Sequence, residues 1–470
     1  MDGSHDLSLE TLRESFDRLR AAAAADPYPP AERRIADLLA VEKALIRRKD
    51  ALAAAADADF GGRLRHETLF AEIYVTAEAF RHSRRHLKAW MRPRRRSVPL
   101  PIGLGRARVI PQPLGVVGIL SPWNYPLMLA LTPVAGALAA GNRVMVKPSE
   151  LTPSVSTLIA EILAEALPAD RAAVISGGTE VGAAFASLPF DHILFTGSER
   201  IGRKVMAAAA ENLTPVTLEL GGKSPALILP DADLGEAALD IAYGKFTNAG
   251  QTCVAPDYVL VPRGAMDEFV TRLESAVSGY FPPGQENSTM SAVFGEAGRR
   301  RQTALRAEAE AAGVPLRELG PNVPGVAFGP TVLIDPPESL ALSREEIFGP
   351  LLPVIPYDQV TQAVDHIRQR PRPLALYLFG KNRPEIDGIL RSTLSGGAVV
   401  NDTLVHVAIE DLPFGGVGPS GMGRYHGREG FECFSHMRAV FERGGPRLDR
   451  LARPPLRSLH ERLARWLIGG

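Results

Sequence analysis

The chain has 470 residues with 53 Lys+Arg against 53 Asp+Glu, a zero balance that excludes a dedicated nucleic-acid binder, which carries a basic excess. The length predicts two or three domains with large cores, and 44 Gly with 39 Pro stays below the level that marks disorder. Two cysteines, Cys253 and Cys433, exclude a disulfide scaffold, and the polar, acidic start MDGSHDLSLE carries no secretory signal, so a soluble cytoplasmic enzyme is expected.

In chain order, strong helix formers with little Gly predict helices over 7–20, 31–56 and 66–90. The cluster Arg92–Arg96 breaks this pattern and reads as a solvated loop, because it lacks the interleaved aromatics of a nucleic-acid groove. β-rich pieces follow at 107–111 and 115–120. The longest apolar run, 127–141, is broken by Thr132 and Pro133 and is too short to span a bilayer, so it reads as a buried helix. Strands are expected at 116–120, 143–146, 173–175 and 192–195, alternating with helices at 127–140, 154–167, 179–186 and 201–211. That alternation predicts a doubly wound α/β fold with a parallel sheet. A second alternating stretch, 225–397, shows strands near 226–229, 258–261 and 399–400. A strand near 437–441 and a basic helical tail close the chain. The expected division is 1–219 for the N-terminal helices and a nucleotide-binding-type domain, and 220–397 for a second α/β domain. The segment 398–443 returns to the first domain, and 444–470 forms an amphipathic tail.

Some motifs fail on inspection. Gly416-Val-Gly-Pro-Ser-Gly421 fits the dinucleotide pattern but lacks a βαβ setting, so it reads as a turn-rich structural loop. Gly222-Lys-Ser224 resembles the end of a phosphate-binding loop, but Thr217 stands where its first glycine belongs. His82 and His86, among Arg81, Arg84 and Arg85, read as a solvated helix face, and no metal site is expected.

Other residues carry chemistry. Cys253 lies in the polar, small-residue stretch Asn248-Ala-Gly-Gln-Thr-Cys-Val-Ala-Pro-Asp257, which favours a loop thiol open to a cleft over a buried hydrophobe. Cys433 has the more apolar setting. A nucleophilic thiol needs a proton acceptor and donors for the oxyanion it creates. Glu219, a carboxylate at an apolar strand end, is a candidate base whose burial raises its pKa. Asn124, in Ser121-Pro-Trp-Asn-Tyr-Pro126, offers a side-chain amide to an oxyanion.

The ordered motifs Pro122-Trp-Asn-Tyr-Pro126, Lys147-Pro-Ser-Glu150, Phe195-Thr-Gly-Ser198, Leu218-Glu-Leu-Gly-Gly-Lys223, Gly250-Gln-Thr-Cys253 and Glu345-Glu-Ile-Phe-Gly-Pro350 resemble those of the aldehyde dehydrogenase superfamily. Pro413-Phe-Gly-Gly416 extends the match. Cys253-Val-Ala-Pro-Asp-Tyr258 is similar to the class 3 branch. Within that branch, Ala210-Glu-Asn-Leu-Thr-Pro-Val-Thr-Leu-Glu219 looks most like bacterial coniferyl aldehyde dehydrogenases.

The resemblance implies a Rossmann-type NAD(P)-binding domain, an α/β catalytic domain and a small β-element for oligomerisation that includes a hairpin near 100–113. It implies oxidation of an aldehyde, aromatic such as coniferaldehyde or aliphatic of medium to long chain, to the acid. Cys253 would form a thiohemiacetal and then a thioester, Asn124 would bind the oxyanion, and Glu219 would activate water, with Glu346 an alternative base. For NAD, with NADP tolerated, it implies contacts from Trp123, Lys147, Ser149, Glu150, Phe195, Gly197, Ser198, Gly202, Leu220, Glu346 and Phe348. The turn Gly197-Ser-Glu-Arg-Ile-Gly202 departs from the family pattern at Glu199 and Arg200. A non-catalytic relative would be expected to lose Cys253 or Glu219, and a CoA-acylating one Glu219. A homodimer is expected, without a transmembrane anchor or nucleic acid. Leu456, Leu459, Leu463, Trp466 and Leu467 fall at helical spacing and are expected to pack on the body or on a partner subunit.

Overall fold

The computed structural model describes residues 3–99, 102, 104–281, 290–444, 454–455 and 458–469. The helix formers at the N-terminus fold into α1 (Gly3–Ala25), α2 (Ala31–Arg47) and α3 (Lys49–Phe60). A short α4 (Arg65–Glu67) continues without a break through a π-helical stretch, Thr68–Tyr74, into α5 (Val75–Trp90). Arg94–Arg96, expected as a solvated loop, is instead strand β1, antiparallel to residues 107–109 of β2 (Gly105–Pro113). An ion pair between Arg94 and Glu432 offsets the charge of this run. Residues 100, 101 and 103 of the expected hairpin lie outside the described residues.

The apolar, β-branched runs then form β3 (Val116–Leu120), β4 (Arg143–Lys147), β5 (Ala172–Val174), β6 (His192–Thr196) and β7 (Val216–Glu219). Between them lie α6 (Met128–Ala140), α7 (Pro153–Ala166), α8 (Thr179–Ala186) and α9 (Glu199–Ala210). All five strands pair in parallel, in the order β7-β6-β3-β4-β5. Helices cover both faces, which is why the strands are almost wholly apolar.

The second sheet is built from β8 (Pro225–Ile228), β9 (Tyr258–Pro262), β10 (Leu316–Glu318), β11 (Thr331–Ile334), β12 (Leu351–Tyr357), β13 (Ala375–Phe379) and β14 (Gly397–Val400). Its order is β10-β11-β12-β9-β8-β13-β14, and only the β10–β11 pair is antiparallel. The helices α10 (Leu234–Phe246), α11 (Met266–Tyr280), α12 (Gly295–Ala311), α13 (Ala341–Arg344), α14 (Val360–Arg368) and α15 (Arg383–Ser392) connect these strands. Strands β10, β11, β12 and β13 were not expected from the sequence. In β12, Pro353 and Pro356 interrupt the donor pattern that marks a strand, yet both sit in parallel register with neighbours.

The chain then returns. β15 (Gly421–Met422) pairs antiparallel with β7, placing Gly421 opposite Glu219. After α16 (Gly427–Cys433), β16 (Ser435–Arg443) pairs with β2 along its whole length and completes the three-stranded sheet β1-β2-β16.

One surface expectation is corrected, and so is one of the two alternatives for the tail. His82 is buried rather than solvated, its ring tilted against His86 at 4.2 Å and Trp90 at 5.7 Å, because α16 brings Phe431 against Trp90 at 5.7 Å. In the tail, α17 (Ser458–Ile468) forms, but Trp466 and Ile468 are 72% and 84% exposed, so its apolar end is not packed on the body. Leu456 and the side chains of Leu459 and Leu463 lie outside the described residues. Among the described residues no helix is long and apolar enough to cross a membrane.

Candidate active site

The carboxyl ends of parallel strands are where open α/β sheets leave a crevice. Three of the sequence-derived loops start there: Ser121–Pro126 after β3, Pro148–Glu150 after β4, and Leu220–Ser224 after β7. The loop carrying Cys253 arrives from the second sheet. After α10 the backbone turns through Asn248 and Ala249 in the left-handed region, with φ of 51° and 53°, and then Gly250 at 78°. Such backbone persists only where the surroundings enforce it. A Cβ on Gly250 would lie 2.3 Å from the carbonyl oxygen of Gly349, so only glycine lets this loop abut the loop of Glu346. The amide of Asn248 donates to Glu67 at 3.0 Å, and its side chain donates to the carbonyls of Asn124 at 3.0 Å and Gln251 at 3.2 Å.

These loops form a wall between two cavities. On one side is an apolar cavity of about 270 Å³. Cys253 and Glu219 line it, and its walls are aromatic: Phe70, Tyr74, Tyr125, Tyr243, Phe414 and Tyr425. On the other side is a polar cleft of about 1390 Å³ reached by Trp123, Ser198, Gly221, Glu346 and Phe348. The chain crosses the wall repeatedly: Trp123 faces the cleft and Tyr125 the apolar cavity, Gln251 the cleft and Cys253 the apolar cavity, Gly221 the cleft and Leu220 the apolar cavity. Asn124 sits in the wall. Its side-chain Nδ2 donates to the carbonyl of Gln251 at 3.1 Å, which leaves its second hydrogen for another acceptor.

The electrostatics are those of a dry site. Glu219 is 2% exposed, neither carboxylate oxygen has a hydrogen-bond partner, and burial raises its pKa well above the ordinary value. Glu346 accepts from the backbone amide of Gly222, yet burial and the charge of Asp257 push it up to about 8. Burial, with Glu346 and Glu219 nearby, pushes the Cys253 thiol up to about 12. Burial thus favours the thiol form of Cys253 and the protonated form of both carboxyl groups near it.

Cys433 packs against the hydrophobic core, as expected, with Thr217 Oγ1 at 3.2 Å and His192 Nε2 at 3.7 Å as its polar neighbours. It lines neither cavity. The loop 416–421 holds β7 in place: the carbonyl of Ser420 accepts from the amide of Leu220 at 3.1 Å. Lys223 reaches Asp257 rather than a phosphate cradle.

The other residues picked from the sequence divide into groups. Ser198 stands at the N-terminus of α9, makes no side-chain cap bond, and faces the cleft, so the first amides of the helix are available to an anionic group. The departures Glu199 and Arg200 border the same cleft, with Glu199 paired to Arg203 at 2.6 Å. Lys147 and Glu150 lie at the end of β4 and pair with each other at 2.9 Å, while buried Ser149 accepts from the amide of Leu151 at 3.2 Å. Phe195, Gly197, Gly202 and Leu220 pack together: a Cβ on Gly197 would lie 2.6 Å from the Phe195 ring, and one on Gly202 2.7 Å from Leu220. Trp123 stacks on Phe294 at 4.4 Å and meets Phe348 edge-on at 5.6 Å. A helix N-terminus, aromatic faces and a cleft of this size fit a dinucleotide. Among the described residues no group of three or more His, Cys, Asp or Glu is placed to hold a metal ion.

Apart from Tyr125 in the Ser121–Pro126 loop, sequence reasoning missed the aromatic cavity wall, whose other members come from the π-helical stretch before α5, from α10 and from residues 403–425. It also missed Arg63, Glu67 and Glu72 behind the wall.

Comparison with known proteins agrees with this geometry. Residues 10–440 match the aldehyde dehydrogenase family. The chain is 47% identical over 447 residues to a protein of Pseudomonas aeruginosa named "Probable coniferyl aldehyde dehydrogenase", covering 95% of this chain and 94% of that one. It superposes on the substrate-bound state of Staphylococcus aureus AldH with a TM-score of 0.91 and 34% identity, covering 97% and 99% of the two chains. It also superposes on Mycobacterium tuberculosis aldehyde dehydrogenase complexed with NAD+, with a TM-score of 0.83 and 32% identity over 92% and 90%.

Proposed function

Because the chain belongs to the aldehyde dehydrogenase family and so oxidises an aldehyde with NAD as cofactor, we propose that the reaction takes place at Cys253, in the wall between the two cavities. The observation that carries this reading is the position of the thiol: it opens into the apolar cavity, two residues from Gln251, which faces the polar cleft. An aldehyde enters on the aromatic side. The Cys253 thiol gives its proton to the ionised form of Glu219 or Glu346, which releases it before the water step, and sulfur attacks the carbonyl carbon. The free hydrogen of Asn124 Nδ2 and the Cys253 backbone amide meet the oxyanion of the thiohemiacetal. Ser198 and the first amides of α9 would hold NAD by its pyrophosphate, and Trp123 and Phe348 would contact its nicotinamide end; NAD would supply the hydride acceptor. Loss of hydride leaves a thioester on Cys253. Glu219, without any competing hydrogen bond, takes a proton from water as that water adds to the thioester. The carbon–sulfur bond then breaks, releasing the acid and restoring the thiol.

Six aromatic rings around a cavity of about 270 Å³ favour a single-ring aromatic aldehyde, and the name of the Pseudomonas aeruginosa relative supports coniferaldehyde. Glu150, paired with Lys147, is placed to accept from an adenosine ribose hydroxyl, with NADP a weaker alternative. The six-stranded sheet is read as the cofactor domain and the seven-stranded sheet as the catalytic domain. The three-stranded sheet is read as the element that joins two copies into a homodimer working in the cytoplasm.

The test is NADH formation from coniferaldehyde, benzaldehyde and medium-chain aliphatic aldehydes, with and without CoA. Free acid formed at a rate indifferent to CoA is expected, with the aromatic substrates leading. A requirement for CoA would overturn the role of Glu219.

A further inference from the structure

We propose that the buried pair Arg63–Glu72 positions Asn124, an inference that rests on the reading of Asn124 as oxyanion donor. The π-helical stretch Thr68–Tyr74 is the starting point, since π-turns recur at functional sites. It places Phe70 and Tyr74 on the apolar cavity and sends Glu72 inward, where it is 0% exposed. Glu72 Oε2 accepts from the amides of Leu127 and Met128 at 2.8 and 3.3 Å. These belong to the start of α6, where a helix leaves its amides unpaired and its dipole favours a carboxylate. The chain reaches that start directly from Asn124. The other oxygen of Glu72 faces Arg63 Nη2 at 3.3 Å. Arg63 Nη1 donates to the backbone carbonyl of Asn124 at 2.8 Å, and its guanidinium lies 4.4 Å from the Phe60 ring and 5.0 Å from the Tyr125 ring. Asn124 is thus held from behind by Arg63 and, through α6, by Glu72.

A purely structural role explains this arrangement poorly. A buried ion pair is a weak source of stability, because desolvation opposes the Coulombic gain and apolar replacements often fold as well. Here Arg63 Nε and Glu72 Oε1 have no hydrogen-bond partner. The bonds the pair does make all point at the segment carrying Asn124. Orientation is what that investment yields, and a donor displaced by about 1 Å costs on the order of 10²-fold in rate.

The test is a double-mutant cycle combining the apolar replacement Arg63→Met/Glu72→Leu with Asn124→Ala. The readouts are the single-turnover rate of NADH formation, KM for the fastest aldehyde of the substrate panel, NAD affinity and melting temperature. The replacement is expected to slow hydride transfer about 10- to 100-fold with KM and NAD affinity within about threefold, and to have less than about a twofold effect once Asn124 is alanine. An equal loss in both backgrounds, or a wild-type rate, would overturn it. If Asn124→Ala leaves the rate unchanged, the oxyanion role itself fails, and the inference with it. Should the replacement not fold, Arg63→Lys, which keeps the charge but not the fork, enters the same cycle under the same criteria.

Discussion

The two cavities on either side of the loop carrying Cys253 are built by different means. The polar cleft is lined by loops at the strand ends, where backbone groups and single side chains such as Ser198 and Glu346 face the space, together with Ala297, Gly298, Arg301 and Gln302 of α12. The apolar cavity is made by side chains gathered from distant parts of the chain: Phe70 and Tyr74 before the first sheet, Tyr243 on α10, and Phe414 and Tyr425 from the returning segment. On the proposed reading, the cleft would take the cofactor largely through a few motifs, and the apolar cavity would take the substrate through dispersed side chains. A substitution on one side should leave the other side's ligand untouched.

The largest expected effect breaks the chemistry while sparing both cavities. Glu219→Gln keeps size and burial but removes the base, so a first turnover of NADH is expected, followed by a stall, with steady-state turnover down about 10³-fold. Rapid mixing reads the burst. Unchanged steady-state turnover would transfer the role to Glu346.

The next effect sharpens the contrast between the sides. Tyr74→Ala removes one wall of the apolar cavity, and KM for coniferaldehyde is expected to rise about tenfold, the scale of one lost aromatic contact. NAD affinity, measured by fluorescence titration, should stay constant. A parallel loss of NAD affinity would show that the cavities are not independent.

Glu150→Gln probes the opposite side. Its loss frees Lys147 and removes a charge that repels a 2′-phosphate, so kcat/KM with NADP relative to NAD is expected to rise about fivefold, with aldehyde KM unchanged. An unaltered ratio would place the ribose elsewhere.

The smallest effect concerns pH. Burial and the charge of Asp257 push Glu346 up from the ordinary carboxylate range to about 8, so the folded chain holds a proton that the unfolded chain has released. Stability is therefore expected to fall as pH rises from about 4.5 through about 8. Glu346→Gln removes that contribution, and its melting temperature should drop a few degrees less than the wild type's across this window. Equal slopes would contradict the raised pKa.

What the sequence made legible follows the same contrast. The motif loops could be read because each needs particular residues in immediate succession, as Gly250 shows by having no room for a Cβ beside Gly349. The first sheet was readable from its apolar strands alternating with helices. The second sheet was read only in part: Pro353 and Pro356 disguise β12, although parallel neighbours accept them. The aromatic wall was not legible, because Phe70 and Tyr74 look like an ordinary helix stripe until the fold leaves them 58% and 55% exposed at the cavity mouth. Phe414 and Tyr425 come together only through an isolated antiparallel bridge. His82 was misread because the partners that bury it lie far along the chain, on α16.

The most direct test of the central claim is the mass of the trapped intermediate. Glu219→Gln is mixed with NAD and coniferaldehyde, quenched in acid within the burst, and digested for peptide mapping. An acyl adduct on the peptide containing Cys253, in proportion to the NADH formed, is the predicted result. An adduct on Cys433, or NADH without any adduct on Cys253, would contradict the account.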